Sequence, residues 1–150
     1  MEYYLARYFD WRRNVIVPNV SWGLWYDWRY SGYEKDLFIV SECGYATEVE
    51  IKISKSDLAK EKYKRNSMHF DERIRYLYFA IPDYLLASCQ DLISLFAGIL
   101  TVSNDGEVKR IRKATVKSKY KLTDVEKFKV ARLGTMRIWS LKEKLLEVKE

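Results

Sequence analysis

The chain predicts an α/β (α+β) domain, a mixed central β-sheet flanked by helices. Three observations carry this. The apolar pattern switches repeatedly between helical and strand periods, in the order α, β, β, β, α, β, α, β, β, α. Residues 47–54, TEVEIKIS, alternate at period two, with Val49, Ile51 and Ile53 on one side. Helix start signals stand at Ser54, as S-x-x-D with Asp57, and at Thr123, as a TDVE capping box with Glu126. At 150 residues, with no repeat, low-complexity tract or Pro/Gly/Ser linker, residues 1–150 read as one domain.

Each element has a local reason. Met1 to Arg13 reads as a helix, because Tyr4, Leu5, Tyr8 and Phe9 share a face at three- and four-residue spacing. NVIVPNVSW turns extended and β-branched, and Pro18 confines it to a sheet edge or a bulge. A loop follows with Trp22, Trp25 and Trp28. DLFIV (36–40) is a short continuous apolar run, as in a strand covered on both faces. SECGY joins it to TEVEIKIS as a hairpin. The basic stretch SKSDLAKEKYKRN reads as a helix, RIRYLYFAIP as a strand stopped by Pro82, and PDYLLASCQDLISLF as another helix. AGILTVS and EVKRIRKA form a second hairpin around Asn104, Asp105 and Gly106. The last helix runs from Thr123 to about Lys144, with Val125, Phe128, Leu133, Met136 and Trp139 expected to be buried and Gly134 as a weak point.

Composition narrows the class of function. The hydrophobic fraction is 48% and the charged fraction 32%, as in ordinary globular proteins. No apolar run is long enough to span a membrane, and MEYYLARYFDWRRN has no signal-peptide core, so a cytoplasmic protein with no membrane contact is expected. Cys43 and Cys89 are too few for a disulfide framework, and no base flanks Cys43. A net charge of +6 and a pI near 9.2 favour an anionic partner, of which nucleic acid is the commonest large one.

The hairpin assembles a constellation. With its turn near Cys43 and Gly44, residue 36 lies across from residues 50 to 52, which places Asp36 beside Glu50 and Lys52, and Glu34 shares its parity. Like charges opposed on a sheet repel and need a compensating cation. Two carboxylates beside a lysine suit Mg²⁺ or Mn²⁺, which prefer hard oxygen ligands, while the lysine orients water or stabilises a phosphate. The plainer reading is a solvated face with a Glu–Lys ladder, worth about 1 kcal/mol at most per pair.

Asp36, then thirteen residues, then Glu50-Ile51-Lys52 resembles the D…(D/E)-x-K signature of the PD-(D/E)XK nuclease superfamily. The order VEIKIS (49–54), SDLAK (56–60), RYLYFAIP (75–82) and AGILTV is similar to its MmcB-like, DNA-repair-associated branch and to similar phage proteins. The likeness covers about residues 34–112; Lys35, not Pro, precedes Asp36. It implies a restriction-endonuclease-like core (αβββαβ), Asp36 and Glu50 as metal ligands with the Ile51 backbone carbonyl, and Lys52 as the catalytic lysine. Glu34 stands in for the further acid that such nucleases often add. The implied function is metal-dependent hydrolysis of DNA phosphodiesters in DNA repair or processing, or in phage-related DNA metabolism. Members that keep the fold without cleaving leave a second expectation, a non-catalytic DNA- or protein-binding module in repair or phage–host conflict.

Candidate nucleic-acid contacts are Lys55, Lys60 and Lys64 on the basic helix, His69 after it, and Lys109, Arg110, Arg112 and Lys113 in the basic run KRIRKATVKSKYK. Basic residues on an edge strand also block unwanted strand pairing. The three Trp residues either stack on bases or pack back on the domain. DNA is the expected partner, and a protein partner or a homodimer stays open.

Overall fold

The structure, a computed structural model, describes residues 1–21, 34–64 and 71–147, without the side chains of 61–64. It contains α1 (Glu2–Tyr8), β1 (Val15–Val20), β2 (Lys35–Val40), β3 (Ala46–Ile51), α2 (Lys55–Lys64), β4 (Ile74–Pro82), a one-turn α3 (Leu86–Cys89), β5 (Gly98–Val102), β6 (Val108–Arg112) and α4 (Asp124–Glu147). The expected order of elements is therefore present.

The six strands form one mixed sheet in sequence order, β1-β2-β3-β4-β5-β6. β1, β2 and β3 pair antiparallel, β3–β4 and β4–β5 pair parallel, and β5–β6 pair antiparallel. Short turns join β2 to β3 and β5 to β6, and Gly106 at φ +88° takes the left-handed position in the latter. The parallel joints need longer crossovers, which α2 and the α3 segment supply. Pro18 lies in β1, at the edge of the sheet, as its missing N–H requires.

One face of the sheet carries Leu37, Ile39, Val49, Tyr78, Ala80, Leu100 and Val102 and packs against Leu5 of α1. The opposite face holds two apolar clusters. Phe38, Val40, Ala46 and Ile74 pack with Val17, Val20 and Val130 of α4. Leu77, Phe79, Ile81 and Ile99 pack with Leu58 of α2, Cys89 and Ile93. Phe38 faces Glu48 across the ladder, and Glu48 and Glu50 face Leu77 and Phe79. The charged side of β3 therefore runs along the strip between the two clusters, and positions the candidate site.

Four expectations need correction. The plainer reading, a solvated Glu–Lys ladder, fails: Glu48, Glu50 and Lys52 are 4%, 1% and 6% exposed, whereas Ile53 is 67% exposed. β3 is an interior strand covered on both faces, and Ile53 falls past its end. The first helix stops at Tyr8, where the chain turns through Asp10 at φ +55°. The expected helix after Pro82 is broken into a 3₁₀ turn (Asp83–Leu85), α3 and a second 3₁₀ turn (Gln90–Leu92).

In α4 the capping box forms as read. The Thr123 N–H donates to Glu126 Oε2 at 2.8 Å, and the Glu126 N–H to Thr123 Oγ1 at 3.3 Å. The burial expected in α4 does not follow. Val130 is buried and Leu133 partly so, but Val125, Phe128, Met136 and Trp139 are 65%, 69%, 52% and 63% exposed. The helix touches the body on the side that meets β1, and Gly134 is the close approach: a Cβ there would stand 3.2 Å from Val17 Cγ2. The glycine read as a weak point is where helix and sheet come together.

Candidate metal centre

Asp36, Glu50 and Lys52 come together as the hairpin geometry requires. The β2–β3 ladder ends at Leu37 opposite Val49, so the Ile51 N–H is beyond backbone pairing with β2. Asp36 takes it instead: the Ile51 N–H donates to Asp36 Oδ2 at 2.7 Å. Glu50 and Lys52 are two apart on an extended chain and project from the same side. Lys52 Nζ donates to Glu50 Oε2 at 3.1 Å, and the Lys52 N–H to the Ala80 carbonyl at 3.0 Å, which pins the lysine against β4.

The charges act on one another. Burial raises the Asp36 carboxyl above its usual range, and the Glu50 charge adds to this; the Ile51 N–H and Lys52 oppose it. The charge of Asp57 pushes the same way as Glu50. Asp57 sits in the first turn of α2, where its N–H donates to Ser54 Oγ at 3.1 Å, so the capping serine that starts the helix also brings a third carboxylate toward Asp36. Read in sequence only as a helix signal, Asp57 is one residue of the site that the pattern concealed.

Glu48 is another. It lies on the same side of β3, and burial pushes its carboxyl up to about 8; Lys35 and Lys117 pull it down, and Glu50 pushes it further up. Lys35 pairs with Asp71 at 3.6 Å, and burial lowers the Lys117 ammonium against the attraction of Glu48 and Asp71. Glu48 Oε1 and Glu50 Oε1 are buried without a hydrogen-bond partner. While both are ionised neither can donate; a proton on Glu48 makes it a donor to Glu50.

The residues present fit a hard divalent cation. Asp36 and Glu50 offer two oxygen ligands, and the orphaned Glu50 Oε1 is an acceptor that a cation would satisfy. No group of three or more His, Cys, Asp or Glu that could hold a metal occurs among the described residues, so water or substrate oxygens would complete the shell. At Ile51 the bonded group is the N–H toward Asp36; the carbonyl belongs to the same residue. Glu34 is exposed, immediately before β2.

The expected nucleic-acid contacts divide. Lys55 and Lys60 are exposed on α2, as are Arg110 and Lys113 on and beside β6; Lys109 is exposed and pairs with Glu107 at 3.0 Å. Arg112 is a correction: Nε donates to the Ala97 carbonyl at 2.9 Å, and Nη2 to those of Ser94 at 2.6 Å and Ile93 at 3.3 Å. Its fork closes the loop before β5 rather than facing a ligand. His69, the Lys64 side chain and Trp22, Trp25 and Trp28 lie outside the described residues.

The fold and site together define an α+β domain with a six-stranded mixed sheet, a C-terminal helix and a buried acid–lysine cluster. No helix among the described residues is long and apolar enough to cross a membrane. No family model matches the chain, and no curated protein matches it. Among solved structures, a protein of unknown function from Silicibacter pomeroyi is similar over 97% of this chain and 88% of its own, with a TM-score of 0.65 and 15% identity. The two share a fold.

Proposed function

We propose that this protein is a metal-dependent nuclease-like enzyme of the restriction-endonuclease type, hydrolysing DNA phosphodiester bonds at Asp36, Glu50 and Lys52. The observation that carries the reading is the buried Glu50, whose Oε1 has no hydrogen-bond partner while Oε2 lies 3.1 Å from Lys52 Nζ, with the half-buried Asp36 carboxylate close enough to feel its charge. Carboxylates held this far from water are costly unless a cation joins them. Magnesium or manganese held there would polarise a phosphodiester and supply an acidified water. Asp36 and Glu50 would hold the ion; the Ile51 N–H fixes the Asp36 rotamer; Lys52 would keep a positive charge beside the scissile group to orient water or stabilise phosphate charge. Exposed Lys55 and Lys60 on the adjoining helix suit a phosphate backbone. DNA repair or processing, or phage-related DNA metabolism, is the setting that the sequence resemblance suggests.

The test is cleavage of labelled single-stranded, duplex and branched DNA with Mg²⁺ or Mn²⁺. Wild type should give metal-dependent product, and Asp36→Asn and Lys52→Ala should reduce it by about a hundredfold or more. Product yields equal to those of the two variants on every substrate would sink the proposal.

A second reading, a non-catalytic DNA- or protein-binding module, draws on the closure of the Glu50–Lys52 pair, whose side chains are 2% and 7% exposed. It requires salt-sensitive DNA binding that survives Lys52→Ala without cleavage.

A further inference from the structure

On α4 the apolar surface faces out. Every residue from Thr135 to Glu147 is exposed, and Ile138, Trp139, Leu141, Leu145 and Leu146 are 55% to 68% so. The body-facing side is fixed by Val130, by Gly134 against Val17 and by Arg137, whose Nη2 donates to the Asn19 carbonyl at 2.7 Å. About 100° per residue puts Asp124, Phe128, Ala131, Thr135, Ile138, Lys142 and Leu145 on one flank of the helix, roughly 60–160° around from Val130. Their spacing runs 4, 3, 4, 3, 4, 3, the seam of a helix pair, and all seven are exposed.

We propose that this seam is the two-fold interface of a homodimer, in which α4 packs antiparallel against α4 of a second copy, crossing near residue 133. Three properties of the seam select a second copy as its occupant. The first is charge. Asp124 and Lys142, the two charged members, are eighteen residues apart, or five turns at 3.6 residues per turn, so both stand on the same line of the helix. An antiparallel pair centred on residue 133 sets Asp124 of each copy against Lys142 of the other, about 27 Å apart along the axis within one chain. The second is shape. The same register pairs Phe128 with Ile138 and brings Ala131 opposite Thr135 at the crossing, where small side chains let two helices approach.

The third is area. Phe128, Ile138 and Leu145 of the seam, with Trp139 and Leu146 beside it, leave on the order of 100 Å² each uncovered, on the order of 500 Å² per protomer. That lies toward the upper end of the roughly 300–600 Å² of the largest patch on a typical monomer, and the exposed Asp124, Ala131, Thr135 and Lys142 of the same seam bring the surface closer to the roughly 800 Å² per partner of a standard stable interface. A helical end that is exposed at every residue from Thr135 to Glu147 is also marginal in water, and a helix partner would stabilise it.

Sedimentation velocity of the full chain from about 1 to 100 µM tests this, with circular dichroism to verify folding. A concentration-dependent dimer is expected. Ile138→Glu should raise the dimer dissociation constant roughly tenfold or more while leaving the fold intact. Asp124→Lys alone and Lys142→Asp alone should each weaken the dimer, and the two together should restore it, because the swap rebuilds both ion pairs. The charge exchange remains decisive even if Ile138→Glu fails to fold. A monomer at every concentration would overturn the proposal, including one that co-sediments with anionic lipid vesicles and so assigns the seam to a membrane surface. A dimer indifferent to all four variants would also overturn it.

Discussion

The middle of β3 and the outer side of α4 break the same rule in opposite directions. Along β3 two glutamates and a lysine are buried in a sheet whose neighbours on that face are Phe38, Leu77 and Phe79. Along α4 leucines, an isoleucine and a tryptophan stand in water. Charges inside and apolar surface outside both lower the stability of an isolated chain, and each would be relieved by the partner proposed for it: a cation in the first case, a second helix in the second. The inversions differ in scope. The charged one depends on strand pairing, with partners drawn from β2 and α2. The apolar one depends on the helical repeat of a single element.

The sharpest way to break the comparison is to unbalance the buried end. Lys52→Ala strips the buried Glu50 of its 3.1 Å partner and should destabilise the protein by about 3–5 kcal/mol, read from urea denaturation. Combining Glu50→Gln with Lys52→Met should recover most of that loss. If Lys52→Ala melts like wild type, the pair is not buried as described.

Next in size is pH. Burial raises Glu48 from 4.5 to about 8, so its neutral form is favoured in the folded state. Stability from this group is fully present below pH 4.5 and is lost as pH rises through about 8, by up to several kcal/mol. Glu48→Gln should therefore raise the melting temperature at pH 8, with little effect near pH 4. An unchanged pH slope would contradict the burial of Glu48.

Arg112→Ala removes a fork that satisfies three loop carbonyls and should cost about 1–3 kcal/mol, without altering DNA affinity beyond its share of charge. The smallest effect belongs to the exposed end. Ile138→Glu should shift the stability of dilute protein by no more than about 0.5 kcal/mol, because the residue is exposed and belongs to none of the core clusters among the described residues. A larger loss would mean that the helix end is anchored to its own body.

How much was legible from sequence follows the same division. The TDVE capping box, the Ser54 helix start, the Pro18 edge strand and the placing of Asp36 beside Glu50 and Lys52 were readable, because each depends on chemistry within a turn or on the pleat of one hairpin. Alternation in TEVEIKIS assigns residues to sides of a strand but does not say whether a side is covered. That depends on what the rest of the chain lays over the strand, Lys117 among it, so the burial of Glu48 was hidden. Helical periodicity in α4 marked apolar positions in the same way, without saying what would cover them. Arg112 lay in a basic run, and only the loop carbonyls folded against it reveal its structural task.

The central claim, that Asp36 and Glu50 form one cation site, is tested most directly by calorimetric titration of Mn²⁺ into the wild-type chain and into Asp36→Asn at pH 7.5. A saturable binding event in the wild type that is lost or weakened at least tenfold in the variant is the result predicted. Equal binding by both chains, or none by either, would contradict it.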